Sequence, residues 1–304
     1  MSIPQEVPRG KQMAKQAPLT PVVAVLNLKG RVGKTTISAH VFRVFFQDRR
    51  AGTLLLDLDP QFNLTQTLFT RLEYEKLKKE GKTIQAVMEP SPTSGLFEIR
   101  TSSTPPPTPD EIGKGLWQFP KSTPLQQLMI IPGDFNLIKY SLMDDNRKLT
   151  AVRNRFLGFV AKARAQFKVI CIDCNPSSSF LTTCALHACT HIVVPVRPDR
   201  YSILGLEMLA DFVDFIPSIN PKPEIIVVLN GTPKSRYDRR IEDELRAHPV
   251  FGSQTLVHPI HHSNMLMANP NYTGFATDKR GPYRAVLRNQ ISKVVDELAS
   301  KLGI

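Results

Sequence analysis

The chain has 304 residues, 41% of them apolar, and a formal net charge of +12. That apolar share supplies a full globular core, while no run approaches the roughly 18 apolar residues of a membrane span. The charge calls for an anionic partner, with nucleic acid ahead of anionic lipid.

Residues 1–20 are polar and carry Arg9, Lys11 and Lys15. They lack the apolar block of a signal peptide and are expected to be a flexible basic leader on a cytoplasmic protein. From 21 onward, runs rich in Val, Ile and Leu recur at 21–27, 53–57, 127–131, 168–173, 191–196, 224–230 and 254–258. Near-continuous apolar strands indicate burial on both faces, as in a parallel sheet. Helical spacing lies between them: Ile37, Val41, Val44 and Phe45 with Gly52 as a stop signal, then Ile203, Leu206, Leu209, Phe212 and Val213, and last Leu287, Ile291, Val294, Val295 and Leu298. The alternation predicts one α/β domain over 21–304 with a doubly wound, mostly parallel sheet and helices on both faces.

Two stretches depart from the rhythm. Residues 90–124 hold PSPTSG, TSSTPPPTPD and STP. Pro and Ser/Thr at that density are expected to block helix and ladder pairing, so the segment reads as a surface insertion. A partner-docking loop is the alternative there, which exposure of the neighbouring Trp117 would favour. Cys171 and Cys174 form a C-x-x-C, with Cys184, Cys189, His187 and His191 nearby. In a strand, residues three apart point to opposite faces, so buried thiols are expected rather than a zinc site.

After the first apolar run comes Asn27-Leu28-Lys29-Gly30-Arg31-Val32-Gly33-Lys34-Thr35-Thr36, then a helix. A tight turn at a helix N-terminus aims backbone N–H groups at phosphate oxygens, and the helix dipole adds to the attraction. Gly30 and Gly33 let the backbone approach. Lys34 would reach the β- and γ-phosphates, and the Thr35 hydroxyl would bind Mg2+. Leu28 stands where the ordinary motif has its first Gly, and a second lysine appears at 29. Asp57 and Asp59 close an apolar strand, where open α/β sheets place ligands, and can serve the metal or orient a water.

This loop resembles the deviant Walker A motif, K-G-G-x-G-K-[ST]-[ST], of the ParA/MinD family. LLLDLDPQFNLT at 54–65 is similar to the family's D-x-D-P-Q-x-N switch segment. VICIDCNPS at 169–177 is similar to its second acidic motif, and HIVVPVRPDRYSILGLEML at 191–209 to its next strand and helix. The resemblance covers about 35–230 and implies a P-loop NTPase consuming ATP with Mg2+. It implies a catalytic set of Lys29, Lys34 and Asp59, with Asp59 orienting the water. Lys29 would cross a nucleotide-sandwich homodimer to the partner's phosphates. The nucleotide would be held by Lys29, Gly30, Arg31, Val32, Gly33, Lys34, Thr35, Thr36 and, at the base, Asn230. The metal shell would be Thr35, Asp57 and Asp173. Arg31 replaces the second Gly of K-G-G, and Asn175 replaces a Pro. An arginine at 31 would either contact phosphate or crowd its symmetry mate, and crowding with a weak dimer is expected.

The family divides by cargo. Partition-type members bind non-specific DNA as ATP dimers, and MinD-type members bind membrane through a C-terminal amphipathic helix. The final helix here, about 283–302, has an apolar stripe expected in the core and ends DELASKLGI, too mixed in charge for a lipid anchor. Basic residues gather at Lys234, Arg236, Arg239 and Arg240, and at Lys279, Arg280, Arg284 and Arg288. Two such clusters could track DNA phosphates. The expectation is a nucleoid-associated ATPase of the partition branch, stimulated by a ParB-like or other adaptor. A membrane-associated positioning ATPase, a non-hydrolysing nucleotide switch and an amidoligase-like or reductase-like relative are the alternatives.

Overall fold

A computed structural model describes residues 19–90, 95, 97–120, 126–177, 179–234, 237–267 and 272–304. The leader before 19 and Arg236 of the first basic cluster lie outside the described residues.

The chain opens with β1 (Val22–Val25), then α1 (Lys34–Thr36), a π-helical turn (Ile37–Val41) and α2 (Phe42–Arg49) in succession. Next come β2 (Thr53–Asp57), α3 (Asn63–Leu68), α4 (Arg71–Lys79), α5 (Ile84–Met88), α6 (Pro109–Ile112) and β3 (Lys114–Gln118). They are followed by β4 (Gln127–Ile131), a 3-10 turn (Phe135–Ser141), α7 (Asn146–Arg164), β5 (Val169–Asp173), α8 (Phe180–Ala188) and β6 (His191–Val196). The chain closes with α9 (Ser202–Asp214), β7 (Glu224–Thr232), α10 (Arg240–Ala247), β8 (Ile260–His261), a 3-10 turn (Asn264–Leu266) and α11 (Arg284–Leu302).

Strand order is β3-β4-β2-β5-β1-β6-β7-β8, and only the β3–β4 pair is antiparallel. Alternate residues of each central strand feed two cores. Val22, Ala24, Leu54, Leu56, Ile170 and Ile172 pack under α5, α7, α8 and α9. Val23, Val25, Leu55, Val169 and Cys171 pack under the first helix and α11. Burial on both faces is what selects the unbroken Val/Ile/Leu runs. The same alternation separates the C-x-x-C pair, with Cys171 in one core and Cys174 in the other. All four thiols are buried, and burial pushes each of them up in pKa. The apolar stripe of α11 is spent on the core through Leu287, Ile291, Val294, Val295 and Leu298.

Three local expectations are corrected. The helix ending at Arg49 is capped by Arg50 in left-handed backbone, φ 46°, rather than by Gly52. The Arg50 guanidinium lies over the Phe119 ring, 5.4 Å from its centroid. Residues 254–258 do not form a strand: Thr255 makes one bridge to Val227, Pro259 interrupts, and pairing resumes at Ile260 opposite Asn230. The 90–124 segment is not devoid of regular structure. Thr108 and Glu111 form a capping box with Pro109 at the first helical turn, where proline is favoured, and β3 then pairs with β4. Trp117 of β3 is 39% exposed and lies edge-on to Phe46 and Phe119, so it is partly committed to the fold.

Candidate active site

The loop from β1 to α1 is anchored before it turns. Asn27 donates from Nδ2 to the Pro195 carbonyl at 2.9 Å and accepts the Lys29 N–H at 2.8 Å, tying the loop to β6. Gly33 has φ 94°, and a Cβ there would stand 2.1 Å from Asn230 Nδ2. Only glycine fits both the conformation and the contact. Arg31 also has positive φ, 61°, at a strain of about 1 kcal/mol that glycine would avoid. Its side chain is exposed, as is the backbone at Gly30.

Lys34 is buried, and its ammonium donates to the Asn27 and Lys29 carbonyls, both at 3.0 Å. Burial lowers its pKa, opposed by Asp173. Lys29 forms an ion pair with Asp199, just before α9. Asp199 also accepts the Tyr201 N–H and the Ser202 hydroxyl. Burial pushes the Asp199 carboxyl up, but the bonds from Lys29 and Tyr201 outweigh it and hold the pKa low.

Three carboxylates stand beside this loop at the C-terminal ends of β2 and β5. Asp57 and Asp173 are register partners in the sheet. Asp173 accepts the Thr35 hydroxyl at 2.9 Å and the Ser38 hydroxyl at 2.7 Å. Asp57 accepts the Thr65 N–H at 2.8 Å and its hydroxyl at 2.7 Å. Asp59 caps the Gln61 N–H at 2.9 Å. Burial pushes both Asp57 and Asp173 up, and for Asp57 the neighbouring Asp173 charge adds to the effect. Burial raises Asp59 too, against the pull of Gln61 and Lys34. Two buried acids side by side form a hard oxygen donor set. Together with the Thr35 hydroxyl they fit Mg2+, whose charge relieves their mutual repulsion.

The expected nucleotide residues therefore converge, with one qualification. Asn230 is buried and donates to the Val32 carbonyl at 2.8 Å, so its amide braces the phosphate loop against β7. It still borders a cavity of about 180 Å³ that Arg31, Gly33 and Thr36 also line. Thr36, Leu266 and Met267 also line a second cavity of about 410 Å³ that runs past Thr35 and His40.

The expected DNA residues are less uniform. Arg288 makes a two-pronged pair with Asp48, and Arg284 donates to the Thr277 carbonyl at 2.7 Å. Arg239 and Arg240 pair with Glu242 and Asp238, and Lys279 lies over the Tyr272 ring. Lys234 and Arg280 make no side-chain hydrogen bond or ion pair among the described residues.

Several positioning residues escaped the sequence reading. Ser38 sits one helical turn after Lys34, so its hydroxyl falls on the same face beside Asp173. Thr65 belongs to the switch segment, but nothing in the motif marks it as the partner of Asp57. Gly133, after β4, comes so close that a Cβ would stand 2.6 Å from Phe62 Cβ and 2.9 Å from Asp57 Cγ. Its N–H donates to the Thr65 hydroxyl at 2.8 Å. The signal available for it was a Pro-Gly pair at the end of an apolar strand.

Residues 20–225 match a family model described as an AAA domain. The chain is 26% identical over 236 residues to the chromosome partitioning protein ParA of Myxococcus xanthus, covering 75% of this chain and 71% of that protein. A putative plasmid partition protein of Borrelia burgdorferi B31, solved bound to AMPPNP, superposes with a TM-score of 0.61 at 17% identity, covering 92% of this chain and 100% of that one. The structure of pNOB8 ParA bound to nonspecific DNA gives a TM-score of 0.61 at 16% identity, covering 93% and 97%. At such identities the likeness is one of fold. The sequence match runs from before β1 into β7, and on it the chain belongs to the AAA-domain family, within the ParA group of P-loop ATPases.

Proposed function

We propose that this chain hydrolyses ATP with Mg2+, forms a nucleotide-dependent homodimer, and in that state binds DNA of any sequence to position a plasmid, chromosome region or protein cargo. Hydrolysis is slow until an adaptor of the ParB type stimulates it, and the protein works in the cytoplasm on the nucleoid. The observation that carries the reading is the gathering of Asp57, Asp59 and Asp173 at adjoining strand ends beside Lys34 and Thr35. Phosphoryl transfer needs little from protein beyond positioning and charge. Thr35, Asp57 and Asp173 would hold Mg2+, which neutralises charge on phosphate oxygens. Lys34 reaches the transferred phosphate from inside its own loop. Asp59, next to the switch turn, orients the attacking water. Lys29 leaves Asp199 to reach the partner's nucleotide.

A membrane-bound reading is less well supported, because α11 spends its apolar stripe on the core and no helix among the described residues is long and apolar enough to cross a membrane. Steady-state phosphate release and equilibrium ATP binding test the proposal. Lys34→Ala should lose nucleotide binding. Asp59→Ala should keep it while turnover falls roughly a hundredfold or more. Wild-type turnover in Asp59→Ala would remove the water-orienting role. A wild-type chain that binds ATP without turnover would point to a nucleotide switch instead.

A further inference from the structure

Two arginines line the cavity between the phosphate loop and β7, Arg31 from the loop and Arg197 from the end of β6. Arg197 lies over Gly231, where a Cβ would stand 2.9 Å from its Nε, so the absent side chain gives the guanidinium its seat. Both arginines are exposed, and neither makes a side-chain hydrogen bond or ion pair among the described residues. Asp199, the acid two residues after Arg197, is already engaged by Lys29. Two like charges on a cavity of about 180 Å³ repel each other unless an anion lies between them.

The surroundings say which anion. In a phosphate loop the lysine takes the β- and γ-phosphates and the following hydroxyl takes the metal, here Lys34 and Thr35. Neither Lys34 nor Thr35 lines the cavity, which is bordered instead by Gly33, Thr36, Asn230 and the apolar Val32 and Met267. It therefore receives the end of the nucleotide away from the transferred phosphate.

We propose that Arg31 and Arg197 of one chain clamp the ribose and proximal phosphate of the nucleotide bound by that same chain. The proposal rests on the reading of this loop as a nucleotide site. It turns Arg31 inward, toward its own ligand, instead of outward against a symmetry mate. It also makes the contact common to ATP and ADP, so the clamp tightens substrate and product alike and slows release of the diphosphate. Arg197 thereby becomes a binding residue, one that the resemblance over 191–209 does not single out.

Titration of the full chain with ATP and with ADP, each with Mg2+, tests this against Arg197→Ala and Arg31→Gly. Arg31→Gly relieves left-handed strain, so lost affinity there cannot be blamed on misfolding. Each variant should weaken ATP and ADP by the same factor, roughly tenfold for one charge-assisted contact. Dimer formation at saturating ATP, read by light scattering, should be unchanged. Weakened ATP with unchanged ADP would move the arginines to the terminal phosphate or the partner's nucleotide and overturn the clamp. Unchanged affinity for both nucleotides in the two variants, with the wild type binding normally, sinks the clamp alone. A wild type that binds neither nucleotide removes the nucleotide reading of the loop and the clamp with it.

Discussion

Gly133 has no side chain to contribute, yet the arrangement of the acids depends on it. Asp57 is fixed by Thr65, Thr65 is fixed by the Gly133 N–H, and the Gly133 Cα fills the gap between Asp57 and Phe62. A methyl group there meets backbone-anchored atoms that cannot swing away. Gly133→Ala should therefore destabilise the fold by about 1–3 kcal/mol, read as a shifted urea midpoint, and should cut turnover more than ATP affinity. Unaltered stability would mean that β4 and the switch segment can part without loss. The phosphate loop and the acids were legible because their spacing is dictated by local geometry: a turn, a helix start, a strand end. Thr65 and Gly133 were not, because their partners lie 8 and 68 residues away. Arg197 was hidden for the same reason, since its seat on Gly231 is a contact between neighbouring strands.

At the level of elements, the first helix widens into a π turn over Ile37–Val41, which carries His40. His40 Nδ1 accepts the Ala276 N–H at 3.2 Å, a bond that requires the neutral ring. Burial lowers its pKa from 6.5 to about 4. The unfolded chain therefore takes up a proton as pH falls through 6.5 while the folded chain does not. The stabilisation is whole above that pH and erodes by about 1.4 kcal/mol per unit on the way down to about pH 4. Urea midpoints at several pH values should show the wild type losing stability relative to His40→Gln as pH falls from 6.5 to about 4, since the raised acids Asp57 and Asp173 act alike in both chains. Equal slopes would mean that the ring is protonated in the fold. The helix periodicity was plain in the sequence, but the extra residue in its turn was not, since π and α turns share one apolar pattern. The edge element β3 was missed for another reason. Its pairing is supplied by β4 and by Phe46 and Phe119 beneath Trp117, while composition alone gave only the surrounding prolines.

For the whole molecule, the charge of +12 was visible from composition, but its distribution was not. Arg288, Arg284, Arg239 and Arg240 are engaged within the chain, which reduces what they offer to a phosphate backbone. Lys234 and Arg280 have no such engagement among the described residues. DNA affinity with ATP should fall with salt at a log–log slope of roughly −3 to −6. Lys234→Glu with Arg280→Glu should flatten it by about 2, with nucleotide affinity unchanged, whereas Arg288→Ala should change it little. An unchanged slope in the double variant would place the DNA surface elsewhere.

The two borders of the sheet carry a consequence of their own. One is β3, turned antiparallel, broken by an irregularity between Gly115 and Trp117, and starting at the exposed Lys114. The other is β8, only two residues long. Short, irregular and charged borders are poor templates for a further strand. If these chains polymerise, the edges among the described residues disfavour extending one sheet into the next. Any filament would then be cemented by side chains and loops, and should come apart under conditions too mild to melt a continuous cross-chain ladder.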